Sequence, residues 1–361
     1  MTTATPSRSV VVRGSWFHRH RVLTLLVANV AFLTSIFVVL EAAYWGQWID
    51  FHRADLAASN PPGILVPDSR PTILVLGDSF SVGRDNWPTH LQELLGPDTH
   101  VVNSGVGGTT IRQMRIIADG RIQRFNPSLV ICQIYTGNDL VDLRHPVASG
   151  QIGRFRKLYW SVTDHGWLLP WYLNTRLRQT IDRWSRNRMS DPTEMERIIA
   201  EMEAGPFSPA DYSPRSAALL AASPTLIADQ IAVADEMAGA WSIYEGELDR
   251  LAALCNAHGV PLLLVVVPHC AQVHPRYADR FRALGAMFPD PAALTMDESI
   301  FVTRLKAVAA RSPGVEVFDA LPSLRKQEGE GVELYFANDP HLNQTGRRVL
   351  ADAIATTLES R

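Results

Sequence analysis

Cysteine is scarce in this 361-residue chain, and neither sign of charge is in large excess. The three cysteines, Cys132, Cys255 and Cys270, have no paired spacing, which excludes a disulfide framework and a zinc site built on cysteine pairs. Cys132 lies in an aliphatic run and is predicted to be a small core residue. The net charge of -3 predicts no basic surface of the kind that binds nucleic acid, so we expect no nucleic-acid partner.

Two common nucleotide-binding motifs are also missing. No G-x-x-x-x-G-K-[ST] loop is present, and "GVGG" at 105–108 lacks the rest of a dinucleotide fingerprint.

His269, Cys270 and His274 could contact a metal, but no further ligand cluster accompanies them, so a loop is the better interpretation. We therefore predict neither a metal nor an organic cofactor.

One long hydrophobic run lies near the N-terminus. Val22 to Leu40 carry no charge, and as a helix they would span roughly 28 Å, close to the hydrocarbon thickness of a bilayer. Basic residues precede the run and no acid occurs before Glu41, so the positive-inside rule places the N-terminus in the cytoplasm. Trp45 and Trp48 suit the opposite interface. The preceding basic residues are Arg8, Arg13, Arg19 and Arg21.

This run sets the predicted domain boundaries. We expect residues 1–21 to form a cytoplasmic tail and residues 22–45 a single-pass anchor, with the rest of the chain outside the cytoplasm. A cleaved signal peptide is the alternative, because Ala42 and Ala43 are small. The run is longer than an ordinary signal h-region and no clear A-x-A site follows it, which favours the anchor. Residues 46–70 contain "NPPG" and "VPDSRP" and are predicted to be a linker.

From residue 71 onward, aliphatic runs alternate with helical patterns, which is typical of a parallel sheet covered by helices. The alternation fails between about 146 and 227, which predicts an insertion at one end of the sheet. The insertion could be a lid, a binding wall, a membrane contact or a small core of its own. The predicted strands are Thr72–Leu76, His100–Val102, Leu129–Gln133, Pro261–Val267 and Val315–Phe318. The predicted helices are Trp87–Leu95, Thr110–Arg124, Asp229–His258, Ile300–Arg311 and Gln344–Glu359.

The stretch "ILVLGDSFSVG" begins at Ile73 and places a serine just after a buried strand. Ligands bind beyond the carboxyl ends of the strands in open α/β sheets, so Ser79 is a candidate nucleophile. The alternative is that Ser79 only caps the helix that follows. A Gly-x-Ser-x-Gly nucleophile elbow is absent because Ser81 replaces the second glycine, which disfavours the α/β-hydrolase class.

A candidate base lies near the C-terminus, in "YFANDPHLNQTG". His341 precedes the last predicted helix, and Asp339 lies two residues before it. A carboxylate this close can fix the imidazole tautomer and leave the other ring nitrogen to take a proton from serine. A D-x-H triplet by itself is weak evidence, and its position after the fifth predicted strand strengthens the case.

Two further loops could stabilise an oxyanion. In "NSGVGGTT" (103–110) the glycines allow backbone N–H groups to point into a cleft, and in "YTGND" (135–139) the Asn138 amide can donate. Such donors form an oxyanion hole, in which one donor typically lowers a barrier by about 3 kcal/mol. The alternative for both loops is an ordinary turn.

These signals fall in order along the chain, each after a different predicted strand. The sequence resembles the SGNH hydrolases, also called the GDSL esterase and lipase family, over most of residues 72–144 and 258–359. The resemblance implies a flavodoxin-like three-layer α/β/α sandwich with a central parallel five-stranded sheet in residues 71–361. The matching blocks are GDS at 77–79, NSGVGG at 103–108, TGND at 136–139 and DPHLN at 339–343.

The resemblance also implies a role for each matching residue. Ser79 corresponds to the nucleophile, and its N–H to the first oxyanion donor. Gly108 corresponds to the second N–H donor and Asn138 to the side-chain donor, while His341 corresponds to the general base, oriented by Asp339.

The chain departs from the family pattern at two positions. Thr136 stands where the third block usually has glycine. The usual acid lies three residues before the histidine, and that position is Asn338 here. The two-residue spacing of Asp339 is similar to that of the alginate O-acetyltransferase branch.

The implied function is an extracytoplasmic, membrane-anchored serine hydrolase that cleaves acyl esters of cell-envelope glycan or lipid through a seryl-acyl intermediate. One alternative is a polysaccharide O-acyltransferase, which would need a multi-span membrane partner to supply acyl groups from the cytoplasm. Another is a non-catalytic glycan-binding protein of the same fold. A distance of about 3.2 Å or less between the Ser79 hydroxyl and the His341 ring would favour the enzyme.

Overall fold

The computed structural model describes residues 20–46, 48–144, 169, 172–173, 205–212, 217 and 220–360. Most of the predicted insertion and nearly all of the predicted cytoplasmic tail therefore lie outside the described residues.

A five-stranded, wholly parallel sheet forms the centre of the domain, in the order β2-β1-β3-β4-β5. Every residue of β1 to β4 is buried, as their unbroken aliphatic runs require of strands covered on both faces, whereas the edge strand β5 is partly exposed. This sheet confirms the predicted fold class. The strands are β1 Thr72–Leu76, β2 His100–Asn103, β3 Leu129–Tyr135, β4 Leu262–Val267 and β5 Val315–Asp319.

Helices cover both faces of the sheet and give the predicted three layers. Alternate strand residues point to opposite faces, so Ile73 and Val75 pack in one apolar cluster and Leu74 and Leu76 in the other. The first cluster includes the helices that begin at Trp87, Pro275, Leu321 and Gln344, and the second includes those that begin at Ile111, Ala238 and Ile300. The described helices are α1 Arg21–Trp45, α2 Arg53–Ser59, α3 Trp87–Leu95, α4 Ile111–Phe125, α5 Asp139–Arg144, α6 Leu226–Ile231, α7 Ala238–Ala257, α8 Cys270–Val273, α9 Pro275–Ala283, α10 Ile300–Arg311, α11 Leu321–Gly329 and α12 Gln344–Glu359.

The predicted continuous helix Asp229–His258 is wrong. The chain instead forms α6, a left-handed residue at Val233 with φ of 46°, and then α7. A β-branched residue is rarely left-handed, so tertiary packing must hold this break in place. After the break, Tyr244 of α7 lies buried against Phe301 and donates to Asp139 Oδ2 at 3.1 Å, a contact that fixes α7 over the sheet.

The N-terminal helix α1 projects large apolar side chains into solvent along most of its length and becomes buried only at Glu41, Ala43 and Tyr44. Among the described residues it alone is long and apolar enough to cross a membrane, a property that a membrane anchor and a signal sequence share. The segment after it packs on the sheet domain. Asn60 hydrogen-bonds the backbone of Asn103 at the end of β2, through both its amide and its carbonyl.

Gly346 of α12 lies close against the backbone of Leu334. A Cβ there would lie 2.2 Å from the Leu334 carbonyl oxygen and 2.9 Å from Leu342, the residues that flank the loop carrying His341. We expect Gly346→Ala to lower the free energy of unfolding by ~1–3 kcal/mol, because a backbone contact cannot yield as a side chain does. Gly246→Ala in α7 is the matched control, since nothing lies within 4 Å of its Cβ and alanine should stabilise that helix by ~1 kcal/mol. Chemical denaturation of the full chain in detergent measures both, and a stable Gly346→Ala variant would contradict the close contact.

Candidate active site

Ser79 lies in the turn that follows β1. A Cβ on Gly77 would meet Ser81 Oγ at 2.3 Å and Gln133 Oε1 at 2.7 Å, so the turn requires glycine there. Gln133 Oε1 accepts hydrogen bonds from Asp78 N at 3.2 Å and Ser81 Oγ at 3.0 Å, and these bonds hold the turn against β3. Within residues 77–81, which form this turn, only Ser79 is not fully buried.

The alternative role for Ser79, as a helix cap, is wrong. Helix α3 begins at Trp87, and its cap is Asn86, whose Oδ1 accepts a hydrogen bond from Trp87 N at 2.8 Å. The Ser79 hydroxyl instead lies 2.8 Å from His341 Nε2.

His341 is held between two partners. Its Nδ1 hydrogen-bonds Asp339 Oδ1, which also accepts from the backbone N of His341 at 2.8 Å. The loop is pinned in turn, because Phe336 N donates to the His341 carbonyl at 3.1 Å and Tyr335 pairs with Leu342. The structure thus brings three of the predicted site residues together in the order carboxylate, imidazole and hydroxyl, which is the arrangement that activates a serine.

The electrostatics of the site match this arrangement. Burial lowers the pKa of His341, but the hydrogen bond and charge of Asp339 and the charge of Asp78 outweigh burial, so the pKa is raised above 6.5. Burial raises the pKa of Asp339, and the hydrogen bond and charge of His341 more than offset it, so the pKa falls below 3.8. Asp339 is therefore an anion at neutral pH and stabilises the imidazolium that forms when His341 takes a proton.

Asp78, which sequence analysis did not single out, carries a buried carboxyl next to Ser79. Its Oδ1 accepts from Phe80 N at 2.9 Å, and it is 1% exposed. Burial raises the pKa of this carboxyl, against the opposing effects of the Phe80 amide and His341.

An aromatic wall closes one side of His341. The Phe80 ring lies 4.6 Å from the imidazole and 4.0 Å from the Tyr135 ring, between ring centroids. Gln133, Phe80 and Tyr135 were all missed by sequence analysis. Gln133 carried a signal, as the one polar residue inside the buried run "LVICQIY" of β3.

The two predicted oxyanion loops follow β2 and β3 and reach the same carboxyl edge of the sheet as Ser79. Gly108 has φ of 73°, a left-handed conformation that favours glycine, and it is exposed. The loop is tied to the nucleophile turn because Val106 N and Thr109 Oγ1 both donate to the Gly77 carbonyl, at 2.9 and 3.2 Å. Asn138 lies half-buried in the turn between β3 and α5. Their roles as oxyanion donors stay predictions.

The two departures from the family pattern have structural explanations. Thr136 is buried, accepts from His269 N at 2.8 Å and hydrogen-bonds Gln272 at 2.9 Å, so it joins the ends of β3 and β4. Asn338 is 2% exposed, and its side chain is committed to residues 206–208, through Ser208 N at 2.8 Å and the Pro206 carbonyl at 3.0 Å. The position of the usual acid thus anchors part of the predicted insertion, and Asp339 is the carboxyl that reaches His341.

The histidines considered as metal ligands serve as helix caps. His269 Nδ1 accepts from Ala271 N at the start of α8, and His274 Nδ1 accepts from Arg276 N at the start of α9, both at 3.2 Å. Burial lowers the pKa of His269 to about 3, so this ring is neutral.

A family model covers the C-terminal part of the chain. Residues 227–361 match the SGNH hydrolase-like domain of the acetyltransferase AlgX, and this range includes Asp339 and His341 but not Ser79. The match confirms the predicted resemblance and the prediction of an acyl esterase or acyltransferase. No curated protein matches the chain.

Three solved structures give weaker likenesses, with TM-scores of 0.38 to 0.40. A catalytic mutant of Axe2, an acetylxylan esterase from Geobacillus stearothermophilus, is 11% identical, with 81% of this chain and 95% of that chain covered and a TM-score of 0.40. TesA is 17% identical, with 80% and 98% covered and a TM-score of 0.38. The hydrolase LAE5 from the metagenome of Lake Arreo, Spain, is 15% identical, with 82% and 98% covered and a TM-score of 0.38.

Proposed function

We propose that this chain, an SGNH hydrolase-like protein by its family match over residues 227–361, cleaves acyl esters through an acyl group carried on Ser79. The observation that carries the proposal is the 2.8 Å contact between Ser79 Oγ and His341 Nε2, with Asp339 on the opposite ring nitrogen. A glycan-binding protein of the same fold needs no such contact, so the geometry favours an enzyme.

Each step of the proposed reaction uses groups within this site. Ser79 Oγ attacks the acyl carbonyl carbon while its proton passes to His341 Nε2. The C–O bond to the alcohol then breaks, and the alcohol oxygen takes that proton. Water next attacks the acyl-serine ester, again giving a proton to His341, and the acid leaves as Ser79 recovers its hydrogen. The N–H groups of Ser79 and Gly108 and the amide of Asn138 are the proposed donors to the oxyanion in both halves.

A second candidate is an O-acetyltransferase, in which a sugar hydroxyl replaces water in the second half. The family match favours it, since the matching model is that of an acetyltransferase, and so does the two-residue spacing between Asp339 and His341. The first half of the reaction is identical, so the triad alone does not distinguish the two.

The proposed setting is the outer face of a membrane. Helix α1 would anchor the domain, with the N-terminus in the cytoplasm and the sheet domain on the far side. A substrate close to that surface, an acylated cell-envelope glycan or lipid, follows from this setting. If the chain is a transferase, a multi-span membrane partner would bring acyl groups across.

Turnover of p-nitrophenyl acetate by the full chain in detergent, with and without oligosaccharide acceptors, tests the proposal. Steady release of acetate without acceptor supports the esterase. A single burst of p-nitrophenol, followed by acetylated sugar only when acceptor is added, supports the transferase. Folded protein that gives neither a burst nor an acetyl adduct on Ser79 by mass spectrometry would contradict both and favour a binding protein.

A further inference from the structure

A cavity lies where the end of α1 meets the domain. Its volume is about 360 Å³, within the range of small-ligand sites. Helix α4 of the domain lines this cavity; its Ile116 packs with Tyr44, and its Arg115 lies over the Trp45 ring at 6.0 Å. The residues that line it include Tyr44, Asp50, Ile116, Arg121 and Arg124.

Among the described residues, the charged side chains that line this cavity leave one cation in excess. Arg121 is fully engaged, because its guanidinium contacts both oxygens of Asp50, at 2.6 and 3.2 Å, and its Nε donates to Ser104. Arg124 is exposed and, among the described residues, has no hydrogen bond or ion pair, lying only over the Phe125 ring at 5.0 Å. The cavity therefore offers an unneutralised guanidinium beside a neutralised pair, which suits a single phosphate group.

The position of the cavity along the axis of α1 indicates which molecule would supply that phosphate group. The helix first becomes buried at Glu41, and Tyr44, which is also buried, lies four residues beyond Leu40, about 6 Å further along the axis. The headgroup layer on each side of a bilayer is about 5–7 Å thick, so the cavity would lie within that layer if α1 spans the membrane. Trp45 and Trp48, which follow Tyr44 in the sequence, are 45% and 84% exposed, as expected of side chains at a membrane interface.

We propose that this cavity binds the headgroup of an anionic phospholipid, with Arg124 contacting the phosphate. Binding there would fix how the sheet domain stands on the membrane. This inference depends on the proposed anchor and not on the proposed chemistry, so Ser79→Ala should bind lipid like the parent.

The test uses the full chain, purified in mild detergent and incubated with equal amounts of phosphatidylglycerol and phosphatidylcholine. Native mass spectrometry counts the lipids retained and gives the mass of the chain. We expect retention of phosphatidylglycerol over phosphatidylcholine, and a loss of about fivefold in Arg124→Gln. The matched control is Arg348→Gln, since Arg348 of α12 is also exposed and free of polar partners among the described residues. The control should retain lipid like the parent, and both variants should keep esterase or transfer activity.

Three results would overturn the proposal. If Arg124→Gln retained as much phosphatidylglycerol as the parent, Arg124 would not contact the lipid phosphate. Displacement of the lipid by millimolar inorganic phosphate would make free phosphate the ligand. The same spectrum could also show a mature chain whose mass lacks α1. Such a chain would have neither the Tyr44 wall of the cavity nor a membrane anchor to hold the cavity beside a bilayer.

Discussion

Ser79→Ala is expected to lower kcat for ester cleavage by about 10⁴- to 10⁶-fold, the range found when a catalytic serine is removed. The Oγ that forms the acyl ester is lost, and we expect no neighbouring group to replace it, because the Asp78 carboxyl is buried and the Ser81 hydroxyl is buried and hydrogen-bonded to Gln133. Release of p-nitrophenol by the full chain in detergent measures the loss. A fluorophosphonate probe should add its mass to the parent at Ser79 and leave the variant unlabelled.

Ser323→Ala is the matched control, because Ser323 lies on α11 outside the site and the change removes the same hydroxyl. It should keep full activity and labelling. Circular dichroism must give the parent spectrum for both variants. A Ser79→Ala protein that still turns over ester, or a probe that labels another residue, would assign the chemistry elsewhere.

Asp339→Asn is expected to lower kcat by about 10³- to 10⁴-fold. The asparagine amide at position 339 can still contact the His341 ring. It carries no charge to stabilise the imidazolium, and it does not select the tautomer that leaves Nε2 free to accept a proton.

The pH profile of Asp339→Asn should also differ from that of the parent. His341 acts as a base only when neutral, so activity falls as pH drops through its pKa, which the parent holds above 6.5. Without the charge of Asp339 that pKa falls, so the acid limb of kcat/KM should move to lower pH while the plateau drops.

Moving the acid to the usual family position should not restore activity. The double variant Asp339→Asn with Asn338→Asp puts a carboxylate three residues before His341, but side chain 338 is directed at residues 206–208. An aspartate there cannot donate to the Pro206 carbonyl, so the double variant should also be less stable than Asp339→Asn alone. Recovery of activity in the double variant would mean that position 338 can reach the imidazole, contrary to the structure.

Much of the fold could be predicted from periodicity, but the break in one long helix could not. Each strand prediction overlaps its strand, and Thr72–Leu76 and the helices Trp87–Leu95, Ile300–Arg311 and Gln344–Glu359 have the predicted bounds. Buried parallel strands are uniformly apolar and surface helices are periodic, so both signals are local. The helix predicted over 229–258 failed because the chain breaks at Val233, which is left-handed and buried in the apolar cluster that also contains Leu74 and Leu76.

The sequence alone determined the order of the chemical groups: Ser79 after the first strand, Gly108 and Asn138 after the next two, and His341 with Asp339 before the last helix. It could do so because in a parallel sheet the loops after each strand meet at one edge. Only the tertiary structure decided which carboxyl serves His341 and that Ser79 is not a cap. It also decided that Gln133 and Phe80 support the site. Those outcomes depend on hydrogen bonds and ring contacts between segments up to 262 residues apart in the chain. The order of residues in the sequence does not determine which of these distant side chains come within contact distance.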